Sequence, residues 1–434
     1  MTMIWFLLAM LLLGGGFFPP GMDIPAVVEA APYSARFAEL GFNRPLSFFF
    51  YDLTNDELLA GVDIEKQLPM VSAIKGPILM YFLTHVPADV WNSVPVMYWH
   101  ARAADVPAEY GEAWQTHHLI LRDLYRMIVY SDNYSTGNVL AYAYEYTGLD
   151  RLNPIEAFNA WSETTIGISP ESGMRQWDQG ETDNPAYIDH RFDNRTTLIR
   201  GVPRFYNNTI SALDLARYYA WLYDQMGTDL FDQAVALMSI VEGFPGFLEQ
   251  TALRLGGVPV SKDGFVGPGD ENNAQNEYLT ADAGLILLDD RALLVVSMSV
   301  NGGDKMEAIY NEVEIIARQR RGELFWQRDL DYITWMRSAA GPYGENTLST
   351  EALYFILEYM IDIGQRPIQG EAFSGDVTRF EEAREVWLAV FPGDVIPIER
   401  NAVQNRVLQA RYGVTNENLY ELALELGLVE GGER

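Results

Sequence analysis

The chain has 434 residues, of which 48% are hydrophobic and 13% aromatic, enough apolar material for two or more folded units and too much for general disorder. Its formal charge of −30 would be repelled by a phosphate backbone or an anionic lipid surface, which excludes nucleic acid as a partner. The absence of cysteine removes disulfides, thiol nucleophiles, thiolate metal sites and cysteine-linked lipid.

At the N-terminus, residues 3–18 form an almost wholly apolar run that stops at Pro19-Pro20. That length is short for a membrane span and suits the h-region of a signal peptide, with small residues near Ala30-Ala31 as a cleavage site. Residues 1–31 are therefore read as a signal peptide or N-terminal anchor. The protein is expected to be exported (secreted, cell-surface or periplasmic), meeting a membrane only through an uncleaved leader.

Leu46 to Leu53 reads as a strand ending in the turn Thr54-Asn55-Asp56, with Leu58 to Val62 as its hairpin partner. A helix is predicted from Ser72 to about His85, and Leu119–Ile128 and Asn138–Tyr146 are the clearest helices after it. Residues 169–208 are polar, spotted with aromatics and without period, an expanded loop of the kind that is either functional or disordered. Helical periodicity returns at Ser211–Tyr223, with Asn208 or Thr209 as its cap. Three strands follow at Val258–Val266, Tyr278–Leu288 and Ala292–Val300, the last two joined at Asp289-Asp290, and Asp304–Gln319 closes the unit as an amphipathic helix. Strands at both ends with helices between them predict an α/β (α+β) domain over 32–319. Its antiparallel sheet is completed by distant parts of the chain, flanked by helices, with an inserted all-helical subdomain. Beyond it, 320–434 reads as a helical C-terminal extension without a catalytic constellation, available for docking an unknown protein.

Of the 30 basic residues only four are lysine: Lys66, Lys75, Lys262 and Lys305. Where arginine has taken the solvent-facing role, a retained lysine is suited to what arginine cannot do, which is to lose its proton on burial. Lys75 follows Ser72 by three residues, one helical turn, so amine and hydroxyl share a face and the amine can act as base for the hydroxyl. Ser72, near a helix start, also has a free backbone N–H for a developing oxyanion. Taken alone, this short pattern is more simply a capping serine before a surface lysine. Two further motifs set that reading aside: Ser131-Asp132-Asn133 after a helix, and Lys262-Asp263-Gly264 on the first of the later strands. The adjacent His117 and His118 point about 100° apart on a helix and make a poor metal pair. Gly14 to Gly16 belongs to the leader, and no cofactor-binding motif is found.

S-x-x-K, S-D-N and a lysine–x–glycine strand, in this order, resemble the class A β-lactamases and the related penicillin-binding proteins, over roughly residues 33 to 319. The resemblance implies that Ser72 attacks the acyl carbonyl and Lys75 activates it. It implies that Ser131 relays a proton to the leaving group in the field of Lys262, while Asn133 holds the substrate amide. The backbone N–H groups of Ser72 and Phe265 would form the oxyanion hole, and Gly264 would let the substrate lie against the strand. Two positions depart from the family pattern. Asp263 stands where Thr or Ser is usual, and it repels a carboxylate substrate unless it pairs with Lys262 or faces away. The E-x-x-L-N loop that supplies the deacylating base has no clean copy. Glu171 is the candidate, with Met174 at the apolar offset and Arg175 where Asn belongs; Glu163 and Glu181 fit no better. The implied activity is a serine hydrolase, without cofactor, acting on a small-molecule or peptidoglycan-like substrate. A β-lactam or related amide or ester would acylate Ser72 and water would release it. A cell-wall D,D-peptidase and a catalytically inactive binding or scaffold protein on the same fold are the alternatives.

Overall fold

The computed structural model describes residues 24–41, 45–199, 201–241, 245–269 and 276–321. The apolar leader and most of the expected C-terminal helical region lie outside these residues. The chain divides into two units, Met1–Asn311 and Glu312–Arg434, and the architecture below is that of the first.

Two short helices, α1 (Ile24–Ala30) and α2 (Ser34–Leu40), precede the hairpin of β1 (Leu46–Asp52) and β2 (Glu57–Val62). Every residue of β1 is buried because the strand is central and covered on both faces. Its side chains alternate accordingly. Phe48 and Phe50 meet Phe37 of α2, with ring centroids 4.3 and 6.4 Å away. Phe49 and Tyr51 stack on the other face at 5.7 Å, within the main core.

The chain next makes β3 (Leu68–Pro69), a 3₁₀ turn at Val71–Ile74, and helix α3 (Lys75–His85), in which residues 75–83 are all buried. A helix apolar around its whole circumference has to run through the middle of a domain, and α3 packs against most of the helices that follow. These are α4 (Ala88–Trp91), α5 (Ala108–Val129), α6 (Asn133–Glu145) and α7 (Pro154–Trp161). Both α5 and α6 start earlier than periodicity suggested: α5 adds polar turns carrying Tyr110 and Trp114 onto the core, and α6 starts where Asp132 caps it by accepting from Ser135 N–H.

Residues 169–208 are not structureless. They contain β4 (Gly173–Met174), the hairpin of β5 (Thr196–Ile199) and β6 (Val202–Phe205), and the start of β7 (Asn208–Ile210), which pairs with β3 and β4. Helix α8 (Ala212–Asp224) is capped by Ser211, whose hydroxyl accepts from Asp214 N–H, rather than by Asn208 or Thr209, which belong to β7. After α9 (Asp229–Met238) and α10 (Phe247–Arg254) come β8 (Val258–Val266), β9 (Leu279–Leu287), β10 (Ala292–Val300) and α11 (Gly303–Arg320).

The main sheet has the order β2-β1-β10-β9-β8 with every pair antiparallel. Leu46 pairs with Ser299 across β1 and β10, so the ends of the domain close its sheet, as the sequence pattern predicts. β8 is one of the two edge strands of the sheet, and the turn at Val71–Ile74 packs against it.

Candidate active site

Ser72 lies in the 3₁₀ turn that leads into α3. The residue before it, Val71, has φ of 37°, a left-handed conformation that β-branched residues rarely adopt and that persists only where the surroundings impose it. β8 imposes it. Gly264 approaches so closely that a Cβ there would collide with the backbone nitrogen of Ser72 and the side chain of Val71. This places the lysine–x–glycine strand directly against the serine.

Ser131 also has a left-handed φ, 55°. It reverses the chain between α5 and α6 so that its carbonyl and its hydroxyl both reach Lys75. Asp132 anchors the reversal, taking Ser135 N–H at 2.7 Å and the Arg126 guanidinium at 2.7 Å. Beneath it the buried Asp123 accepts from Ser135 Oγ at 3.0 Å and Asn138 Nδ2 at 2.7 Å, which fastens α5 to α6.

These elements converge on Lys75. Its Nζ lies 2.5 Å from the Ser131 carbonyl, 2.7 Å from Asn133 Oδ1, 3.0 Å from Ser72 Oγ and 3.1 Å from Ser131 Oγ. The two shortest contacts are to oxygens that can only accept, and they use two N–H groups. A neutral amine then keeps its lone pair for the two hydroxyls. The electrostatics agree. Burial first, and then the charge of Lys262, draw the amine down from 10.5 to about 7, against the opposing pull of Asp132 and Asp263. The arrangement can take a proton from one hydroxyl and return it through the other.

Lys262 is buried on β8 and donates to Asp263 Oδ1 at 2.7 Å, so the aspartate pairs with the lysine. Across the sheet Asp263 faces Asp282. Two carboxylates directly opposed repel. Burial first, and then the Asp263 charge, push the Asp282 carboxyl well above its usual range, which favours its protonated form. Leu248 N–H donates to Asp282 Oδ2 at 2.9 Å. Burial likewise pushes the neighbouring Glu249 up to about 7.

Ser72, Lys75, Ser131 and Asn133 are thus brought together, Gly264 abuts them, and Lys262 with Asp263 and Phe265 lines the adjoining strand. Glu171 does not join them. Ser172 Oγ donates to the buried Asp214 at 2.5 Å, and Arg195 donates to the carbonyls of Glu171 and Pro170 at 2.9 and 3.0 Å. These bonds fix the loop with Glu171 exposed, its carboxylate sharing no hydrogen bond with the cluster. Glu163 pairs with Arg191 at 2.6 Å. Among the described residues no carboxylate hydrogen-bonds to Ser72 or Lys75. The group facing the lysine from this loop is Trp177, which sequence reasoning missed. Its ring centroid lies 5.9 Å from Lys75 Nζ, and its indole N–H donates to the Asn133 carbonyl at 2.9 Å. Only its place in an aromatic-spotted stretch hinted at it. The loop is held against α6 at Gly137, where a Cβ would strike the Gln179 carbonyl, and by Asn138 Oδ1, which accepts from Glu181 N–H at 3.0 Å.

A serine one helical turn from a buried lysine, beneath a second serine and beside a lysine-bearing edge strand, is the arrangement of a β-lactamase-like serine hydrolase. Residues 35–316 match the model of the Beta-lactamase enzyme family, and the chain belongs to that family. Similar solved structures include a class A β-lactamase from Bacteroides cellulosilyticus DSM 14838, with 13% identity, 67% of this chain and 96% of that one covered, and a TM-score of 0.41. A β-lactamase from Chitinophaga pinensis DSM 2588 has 12% identity, coverage of 66% and 98%, and a TM-score of 0.41. One from Streptomyces albus G has 13% identity, coverage of 64% and 98%, and a TM-score of 0.42. Among curated proteins no significant match is found.

Proposed function

We propose that the protein is a serine hydrolase acylated on Ser72 by an ester or amide, the class to which β-lactams belong, and deacylated by water. The observation that supports this most is the Lys75 amine, buried and 3.0 Å from Ser72 Oγ. In the acylation step Ser72 Oγ bonds to the acyl carbon while its proton passes to Lys75 Nζ. The carbonyl becomes an oxyanion facing the backbone N–H groups of Ser72 and Phe265. The bond to the leaving group then breaks as Ser131 Oγ delivers a proton to it and recovers one from Lys75. Lys262 favours this by holding positive charge beside the lysine that must give its proton up. Asn133 orients both Lys75 and the substrate amide. Water then attacks the acyl carbon and releases the acid and free Ser72.

A second reading, transfer of the acyl group to an amine as in a cell-wall D,D-peptidase, is favoured by one feature. Trp177, not a carboxylate, faces Lys75 from the loop, so among the described residues no loop carboxylate stands there as water's base and a long-lived acyl-enzyme is favoured. Both readings are tested by turnover of 4-nitrophenyl acetate and benzylpenicillin by the wild type and Ser72→Ala. Hydrolysis of either substrate that the substitution abolishes supports the assignment. Hydrolysis that survives in Ser72→Ala would remove it.

A further inference from the structure

Among the described residues, the cations nearest Ser72 are already paired or buried. Lys75 is fully buried and surrounded by four oxygens. The Lys262 ammonium is already paired with Asp263 at 2.7 Å. The Arg126 guanidinium is held by Asp132 at 2.7 Å, and Arg204 lies 3.3 Å from Glu277. What the strand edge does present is negative. The Lys262 side chain is 6% exposed, whereas that of Asp263 is 45% exposed, with Oδ1 used by the lysine and no hydrogen bond to Oδ2 among the described residues. Asp263 directly precedes Gly264, whose Cα lies against the backbone of Ser72, so this carboxylate stands beside the place where an acyl donor must lie.

Two exposed aromatic rings lie further along the same edge, over Gly267. Phe265, two residues on from Asp263 and therefore on the same face of the strand, is about 6–7 Å along β8, and its side chain is largely exposed. Tyr278, next to the start of β9, is also exposed, with its ring centroid 5.9 Å from that of Phe265. A half-exposed carboxylate with exposed ring faces further along the same edge is an environment that can receive an organic cation.

We propose that the acyl donor of Ser72 carries an ammonium group, not a carboxylate, at the edge of β8, where Asp263 Oδ2 and the faces of Phe265 and Tyr278 receive it. Asp263 is then the specificity-determining residue. This rests on the reading that Ser72 is the acylated nucleophile, and the test separates the two.

Aryl acetates whose leaving group bears either a trimethylammonio or a carboxylate substituent are compared in the wild type and in Asp263→Asn. The quantity measured is the ratio of kcat/KM for the ammonium ester to that for the carboxylate ester. Both rates come from one preparation, so the ratio does not depend on how much of a variant is folded. Removing one charge beside the substrate group is expected to lower it by about tenfold to a hundredfold, and Asp263→Thr should act in the same direction. In parallel, an uncharged fluorophosphonate labels Ser72 whatever the charge preference. A ratio that is unchanged or raised in Asp263→Asn, with Ser72 still labelled, would overturn the charge preference and leave the hydrolase reading standing. No label in the wild type together with no hydrolysis of either ester would overturn both.

Discussion

The depressed basicity of Lys75 makes a quantitative prediction for acylation. The amine is drawn from 10.5 to about 7, by burial first and then by Lys262. At pH 7 about half of the site then carries a free base. A lysine at its ordinary value would be unprotonated in only about three molecules in ten thousand, so the environment raises the working fraction by roughly a thousandfold. Acylation of Ser72, followed as the burst of 4-nitrophenol in stopped flow, should rise with pH through a midpoint near 7 and level off above it. Below the midpoint it should fall tenfold per pH unit. Lys75→Arg keeps a cation that cannot titrate in this range, and should lose about 10²–10⁴ in acylation rate above the midpoint, the usual contribution of a positioned general base, with the gap narrowing as the wild-type rate falls in acid. A flat profile between pH 5 and 9, or a midpoint near 10, would refute the reasoning that burial and Lys262 make Lys75 the base.

The close approach of β8 predicts that Gly264→Ala will displace the strand from Ser72, because the added Cβ meets the Ser72 nitrogen and Val71. Acylation should fall at least about tenfold with destabilisation of about 1–3 kcal/mol, measured by urea titration; unchanged values in both would contradict the contact. Asp282 has a folded-state carboxyl well above its ordinary value, through burial first and then the Asp263 charge. Its contribution to stability is therefore full in acid and is lost as pH rises above the ordinary carboxylate range. Asp282→Asn, which carries no charge to bury, should raise the melting temperature by about 2–6 °C at pH 8 and by less at pH 5, read by calorimetry. A larger gain at pH 5 than at pH 8 would contradict the sign.

The sheet was legible from the sequence because its strands are short apolar runs bounded by turn residues: Val258–Val266 and Ala292–Val300 emerge with the predicted bounds. The cluster around Lys75 was legible because its members lie in three short motifs, and scarcity of lysine drew attention to them. Helix starts were less so. Asp132 and Ser211 cap by geometry that propensity does not distinguish from neighbouring polar residues. The loop between α7 and β7 was opaque. Its conformation is dictated by long-range bonds to the buried Asp214 and to Asn138, and by the contact at Gly137, none of which has a local signature. Those bonds turn Trp177 toward Lys75 and leave Glu171 outside. The pairing of Lys262 with Asp263 was one of two outcomes the sequence left open. In the structure the two side chains pair at 2.7 Å.

The central claim is that Ser72 is a nucleophile activated by Lys75, and intact-protein mass spectrometry tests it most directly. The protein is incubated with 4-nitrophenyl acetate, quenched in acid at intervals and digested to locate any added mass. The account predicts one added acetyl group per chain, located on Ser72, absent in Ser72→Ala and strongly diminished in Lys75→Arg. An acetyl group found on another residue, or formed equally in Ser72→Ala, would contradict it.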